Sequence, residues 1–175
     1  MSIPTVIGKF ATLPFGRYRA TLDEIEQVFV HDAPFAAERA QVFQAFHVWF
    51  SLMDGMLPGA RYWVDGGFVT HKDWAAPSDV DVMMLCTSEQ LNALNDQEQE
   101  RFAQLLTVAA PGTPRVQPMG GLVDAYYVVR GNVDHVIYWQ NLWSKVRDRN
   151  GNEVLNSIKG FVGSPVVTVG PFGAP

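Results

Sequence analysis

Cysteine is nearly absent: Cys86 is the only one in 175 residues, which excludes a disulfide framework as the source of stability. It lies inside an apolar run, where it reads as a small core residue rather than a nucleophile or metal ligand. Positive charge is also short, with 13 Lys and Arg against 18 Asp and Glu, a formal net charge of -5 and a pI near 5.2. That balance excludes the broad positive field of a non-specific nucleic-acid binder and leaves room only for a local basic patch. Long apolar runs are missing as well. No window approaches the roughly 18 apolar residues of a spanning helix, and no basic segment followed by an apolar stretch opens the chain. No membrane partner is therefore expected, and the protein is expected to be soluble and cytoplasmic. Repeats at solenoid periods and low-complexity blocks are lacking too.

What is present points to an ordinary globular chain. Hydrophobic residues make up 47% and charged residues 18%, enough apolar surface to build a core without a structural metal. The length predicts a single domain over residues 1–175, with an irregular arm over residues 1–19, where Pro4, Gly8, Pro14 and Gly16 interrupt any period. Thr21, followed by Asp23 and Glu24, marks a helix start, and that helix stops near His31 to Pro34. A longer helix from Ala36 to Leu57 is signalled by Val42, Phe43, Phe46, Trp49, Phe50, Met53 and Leu57, a core-facing stripe rather than a cofactor box. Strands are expected over residues 60–64, 80–86 and 122–129, each rich in branched and aromatic residues. A helical region starting at Ser88 separates the second from the third, and helical character returns from Val133 to Arg149 before Asn150-Gly151-Asn152. The tail over residues 171–175 reads as loose. The pattern is α/β or α+β, with a short mixed sheet flanked by helices.

The chemistry concentrates between Tyr62 and Cys86: a strand, Gly66-Gly67, a polar loop with Lys72, and then Asp79-Val80-Asp81 opening an apolar strand. Two residues apart at a strand entry, Asp79 and Asp81 share one face while Val80, Val82 and Met84 take the other. Carboxylates held that close repel and call for a cation, and hard oxygen ligands suit magnesium or manganese completed by water and substrate phosphates. Gly66 and Gly67 let backbone amides approach phosphate oxygens. Lys72 reads equally as a phosphate contact or as a solvated loop lysine. Asp124, an acid inside the apolar run Leu122 to Val129, is the natural third carboxylate, because burying such a charge without compensation would cost several kcal/mol. Glycosyltransferases and aspartate-nucleophile phosphatases carry their acidic pair after the apolar strand; here the apolar residues follow the acids. His47 lacks a partner at metal-ligand spacing, His71 and His135 are lone histidines, which are seldom catalytic, and Asp65 reads as a turn former before the glycines.

These motifs resemble the nucleotidyltransferase superfamily that includes polymerase beta, whose signature is Gly-Ser, a loop, Asp-x-Asp and a third acid on a later strand. More narrowly, Asp65-Gly-Gly-Phe-Val-Thr-His-Lys72 with Pro77-Ser-Asp-Val-Asp-Val82 is similar to a small bacterial and phage group of such proteins. The usual form in that group is Gly-Ser-Phe-Val-Thr-x-Lys followed by Pro-x-Asp-Ile-Asp-Val. The likeness is detailed over residues 61–86 and looser over residues 120–162, where Tyr138-Trp139 and Lys159-Gly160-Phe161 fit the group's closing pattern. One position departs from it: Gly67 stands where the signature has serine, and losing one such phosphate contact would cost ~1–3 kcal/mol.

The resemblance implies a metal-dependent enzyme that moves a nucleotidyl group from a nucleoside triphosphate to an acceptor. Asp79, Asp81 and Asp124 would be catalytic and metal-holding, and Gly66, Gly67 and Lys72 would hold phosphates. Magnesium or manganese is the expected metal, with a nucleic-acid acceptor or a protein as further partner. Gly67 and the modest length motivate an alternative. In it the fold serves as a recognition module, a toxin or antitoxin component or a phage counter-defence factor.

Overall fold

The computed structural model describes residues 3–163, so the tail expectation for residues 171–175 lies outside the described residues. A short strand β1 (Arg17–Tyr18) leads into α1 (Leu22–Glu26), which continues as a π-helical turn over Gln27–His31. The start of α1 is a capping box: Glu24 N donates to Thr21 Oγ1 at 3.1 Å, and Thr21 N donates to the Glu24 carboxylate at 2.8 Å. Helix α2 (Ala36–Met56) follows, burying Arg39, Val42, Phe43, Phe46, Trp49, Phe50 and Met53 at helical spacing. The apolar stripe, rather than a cap, specifies this helix, since Phe35 at its N-terminus is left-handed and makes no side-chain cap bond.

Strands β2 (Arg61–Asp65) and β3 (Val80–Cys86) pair antiparallel, and β3 pairs in parallel with β4 (Val123–Val129). Between β3 and β4 run α3 (Ser88–Asn92) and α4 (Asp96–Gln104). The single helical region expected there is two helices, each with its own capping box, Thr87 with Gln90 and Asn95 with Glu98. After β4 come α5 (Val133–Trp143), β5 (Lys145–Arg147), β6 (Glu153–Ile158) and β7 (Phe161–Gly163). The main sheet is mixed, in the order β1-β7-β2-β3-β4, and β5-β6 forms a separate hairpin. This is an α+β fold with a mixed sheet flanked by helices, as the pattern predicts. No helix among the described residues is long and apolar enough to cross a membrane.

Two expectations need correction. The helix read from Val133 to Arg149 ends at Trp143, because Lys145-Val146-Arg147 alternates with period two and pairs with β6. Asp148 Oδ1 makes the turn between them, accepting from the backbone amides of Asn150 at 2.8 Å and Asn152 at 2.9 Å. The arm over residues 1–19 is less irregular than read, for β1 adds a parallel edge to β7, and Thr12 bridges both Ile7 and Thr70.

Strand alternation divides the sheet cleanly. Tyr62, Val64, Val80, Val82, Met84, Cys86, Val123 and Ala125 join α2 in the larger core. Trp63, Met83, Leu85, Val128 and Phe161 join Trp143 of α5 in a smaller one. Asp65, Asp81 and Asp124 have the parity of Trp63, Met83 and Val128, so all three acids stand on the α5 side of the sheet.

Candidate functional site

Strand register carries the site. Asp65 is the cross-strand partner of Asp81, and Asp81 is the partner of Asp124, so three carboxylates form a row across β2, β3 and β4. Neighbouring strands lie about 4.8 Å apart, which sets the spacing along that row. The row forms the floor of a cleft of about 760 Å³ that also takes in Gly66, Gly67, Lys72, Arg115 and Lys159.

Each acid has its own surroundings. Asp65 is 3% exposed and Asp124 2% exposed, too buried to stay charged without partners. Asp65 Oδ1 pairs with Lys159 Nζ, and Asp124 Oδ2 pairs with a guanidinium nitrogen of Arg115. Thr107 Oγ1 donates to Asp124 Oδ1 at 2.7 Å and accepts from Ala125 N at 2.9 Å, holding the carboxylate at a fixed angle to its own strand. Burial pushes the Asp65 carboxyl up against the opposing pull of Lys159. Among the described residues Asp81 has no such partner. Burial first, then the negative charges of Asp65 and Asp79, push its carboxyl up to about 7, with Lys159 and Arg115 only partly offsetting them.

Asp79 stands just outside β3, where Gln117 Nε2 donates to Oδ2 at 2.7 Å and Ser78 Oγ donates to Oδ1 at 3.0 Å. It acts on Asp81 through its charge but does not line the main cleft. Among the described residues no group of three or more His, Cys, Asp or Glu side chains stands as a ready-made ion cage. Lys159 and Arg115 pair with oxygens of the outer two acids.

The glycine turn is explained by close approach. Gly66 has φ 82°, and a Cβ there would overlap the Asp81 carboxylate, so both the backbone and the neighbouring acid demand glycine. At Gly67 a Cβ would come 2.9 Å from Lys72 Nζ. The ammonium thus stands over the turn where a serine side chain would begin, and yielding would require only the end of a flexible chain to move. Burial, and then the charge of Arg39, lower the Lys72 pKa, while Asp79 opposes them.

Arg39 braces this loop. It is completely buried and donates to the carbonyls of Phe29 at 3.0 Å, Pro34 at 2.6 Å, Phe68 at 2.7 Å and Thr70 at 2.6 Å. One guanidinium therefore ties α2 to the segment carrying Gly66, Gly67 and Lys72; burial lowers its pKa to about 10. His71 belongs to the same brace. Its Nε2 meets the Val28 carbonyl at 2.8 Å, which makes that nitrogen the protonated one.

The structure brings together Asp81, Asp124, Gly66, Gly67 and Lys72, and leaves Asp79 at the rim. Asp65, read as a turn former, is instead a buried member of the acid row. Its signal was a charge ending the run Tyr62-Trp63-Val64, all of it buried. Sequence reasoning also missed Arg115 as the partner of Asp124 and Lys159 as that of Asp65. The cleft also takes in cations and aromatic rings: Lys145, Arg147 and Arg149 from the β5-β6 hairpin, and Trp74, Tyr126, Tyr138 and Trp139.

Neither the curated proteins nor the solved structures contain a match to the chain. Residues 7–163 match a family described as of unknown function, DUF6932. The match spans nearly the whole chain, the acid row and its glycine turn included, and the protein belongs to that family.

Proposed function

We propose that the protein is a metal-dependent nucleotidyltransferase acting from a nucleoside triphosphate onto an acceptor oxygen. The observation that supports this reading best is the acid row, with Asp81 and Asp124 in register on adjacent parallel strands beside the Gly66-Gly67 turn. Three hard carboxylates with Asp79 at the rim suit a divalent cation better than mutual repulsion. Asp79, Asp81 and Asp124 would hold magnesium or manganese, with Asp65 adjoining, and the bound ion supplies Lewis-acid polarisation of phosphate oxygens.

Lys72 over Gly67, with Arg115 and Lys159 in the same cleft, supplies positive charge for the triphosphate. Arg115 and Lys159 have a second use here, since phosphate oxygens compete for the same guanidinium and ammonium groups that now pair with Asp124 and Asp65. In the transfer, an acceptor oxygen forms a bond to the α-phosphorus and its proton passes to the Asp124 carboxylate. The bond from the α-phosphorus to the bridging oxygen breaks, and pyrophosphate leaves with the electron pair.

The test is label transfer from an α-labelled triphosphate to acceptors in a cell extract. Asp79→Ala together with Asp81→Ala should abolish transfer with the fold intact by circular dichroism. Equal transfer by wild type and double variant sinks the reading.

A second reading draws on the internal pairing of the acid row. With Asp65 and Asp124 already bound to cations of the chain, the cleft would serve as a recognition module, such as a toxin or antitoxin component or a phage counter-defence factor, with a protein partner. Titration calorimetry with magnesium and each triphosphate separates the two: heat of binding favours the enzyme, and its absence the module.

A further inference from the structure

Beside the acid floor, β4 and α5 turn an aromatic wall toward the cleft. The Tyr126 and Trp139 rings lie 4.6 Å apart between centroids at an interplanar angle of 39°. Tyr138 stands edge-on to Trp139 at 5.6 Å. The core does not account for Tyr138, which is 59% exposed, while Trp139, packed against the smaller core, stays partly exposed and still lines the cleft. A wall of this kind in a concave, charged site is the usual make-up of a small-molecule pocket rather than of an open surface.

Its position relative to the acids is set by the strand. Tyr126 follows Asp124 by two residues on the same face, about 7 Å along β4. Arg115, which pairs with Asp124, also donates to the Tyr126 hydroxyl at 3.1 Å, so charged floor and aromatic wall meet at one guanidinium. Trp74 also lines the cleft, with the Arg149 guanidinium 5.4 Å from its ring centre. Charge and flat apolar surface thus adjoin in one cavity, the two halves of a nucleotide's chemistry.

We propose that the corner made by Tyr138 and Trp139 is the stacking platform for the nucleobase of a nucleotide whose phosphates lie on the acid and cation floor, one ring stacking on the base and the other packing against its edge. This rests on the nucleotidyltransferase reading for the floor and adds the base site. Stacking needs only a π-face, so the platform accepts any base.

The experiment is titration calorimetry in magnesium with ATP, UTP and inorganic tripolyphosphate, on wild type, Tyr138→Ala, Tyr138→Phe and the double variant Tyr138→Ala with Trp139→Leu. Wild type should bind ATP about 10- to 100-fold more tightly than tripolyphosphate, the range expected for one stacked base. UTP should also bind more tightly than tripolyphosphate. The double variant should lose most of the ATP preference with tripolyphosphate affinity unchanged, and Tyr138→Phe should keep it. If melting shows the double variant to be unfolded, Tyr138→Ala, at an exposed position, decides by the same comparison. Equal wild-type affinity for ATP and tripolyphosphate, no binding of either, or an ATP preference that survives loss of the platform each overturns the proposal. The two readings fail separately. Selective ATP binding without label transfer leaves the platform standing and removes the transferase, whereas undiminished transfer by a folded double variant does the reverse.

Discussion

The two faces of the sheet handle buried charge in opposite ways. Toward α2, the charge of Arg39 is satisfied by four backbone carbonyls, groups fixed to the chain itself. Toward α5, Asp65 and Asp124 are satisfied by Lys159 and Arg115, side chains that can change partners, and among the described residues Asp81 has no ion pair of its own. Backbone satisfaction makes a brace, whereas side-chain satisfaction leaves a set of charges that a ligand can rearrange. The same sheet thus carries a rigid support on one side and an exchangeable site on the other.

The largest effect should come from breaking the brace. Arg39→Ala removes four bonds to carbonyls, each charge-assisted bond being worth ~1.5–3 kcal/mol, so unfolding in urea should show a loss of about 4 kcal/mol or more. A loss under about 1 kcal/mol would erase the contrast between the faces.

The next effect belongs to the exchangeable side. A divalent cation at about a hundred times its dissociation constant should stabilise the protein by roughly 2.7 kcal/mol, read as a rise in melting temperature, and Asp81→Asn should remove most of that rise. An identical shift in wild type and Asp81→Asn would show that the acid row is not a shared metal site.

Somewhat smaller is the pH effect without metal. Asp81 has an ordinary carboxyl value of 3.8 when unfolded and about 7 in the fold. The native state therefore keeps a proton that the unfolded chain releases, and the corresponding stability is present in full below the unfolded value and lost as pH rises through the folded one. Asp81→Asn should flatten this fall and, above pH 7, exceed the wild type by on the order of 2 kcal/mol after allowance for partial solvent access. Denaturant titrations across that window in chelator check it, and parallel profiles for the two proteins would refute it.

The smallest effect tests orientation rather than charge. Thr107→Val keeps the shape but removes the hydroxyl between Asp124 and Ala125 N, for about 1 kcal/mol of stability. Under the transferase reading, label transfer should fall further than that stability loss explains; unchanged transfer would show that the angle of Asp124 is immaterial.

Much of this was legible in the residues. The apolar stripe of α2, the Thr21 cap and the branched runs of β2, β3 and β4 are local patterns, each set by side chains a few positions apart. The alternation that puts Asp81 opposite in facing to Val80 and Val82 is equally local. Gly66 was legible as a turn, although its close approach to Asp81 was not. The end of α5 was misread because the apolar spacing of Val136, Trp139 and Trp143 extends naturally to Val146, and only pairing with β6 draws residues 145–147 into a strand.

The amino-acid sequence by itself determined the helices α1 and α2, the strand runs of β2, β3 and β4, the faces that their side chains take, and which residue types were available for metal and phosphate chemistry, because these depend on neighbours within a turn or a strand. Tertiary structure alone decided that Asp65 joins the acid row, that Lys159 reaches it from 94 positions away, that Arg115 pairs with Asp124, and that Arg39 becomes a brace. Strand register and long-range closure set those partners, and neither leaves a periodic trace in the chain, although a one-residue slip would turn Asp65, Asp81 or Asp124 to the other face.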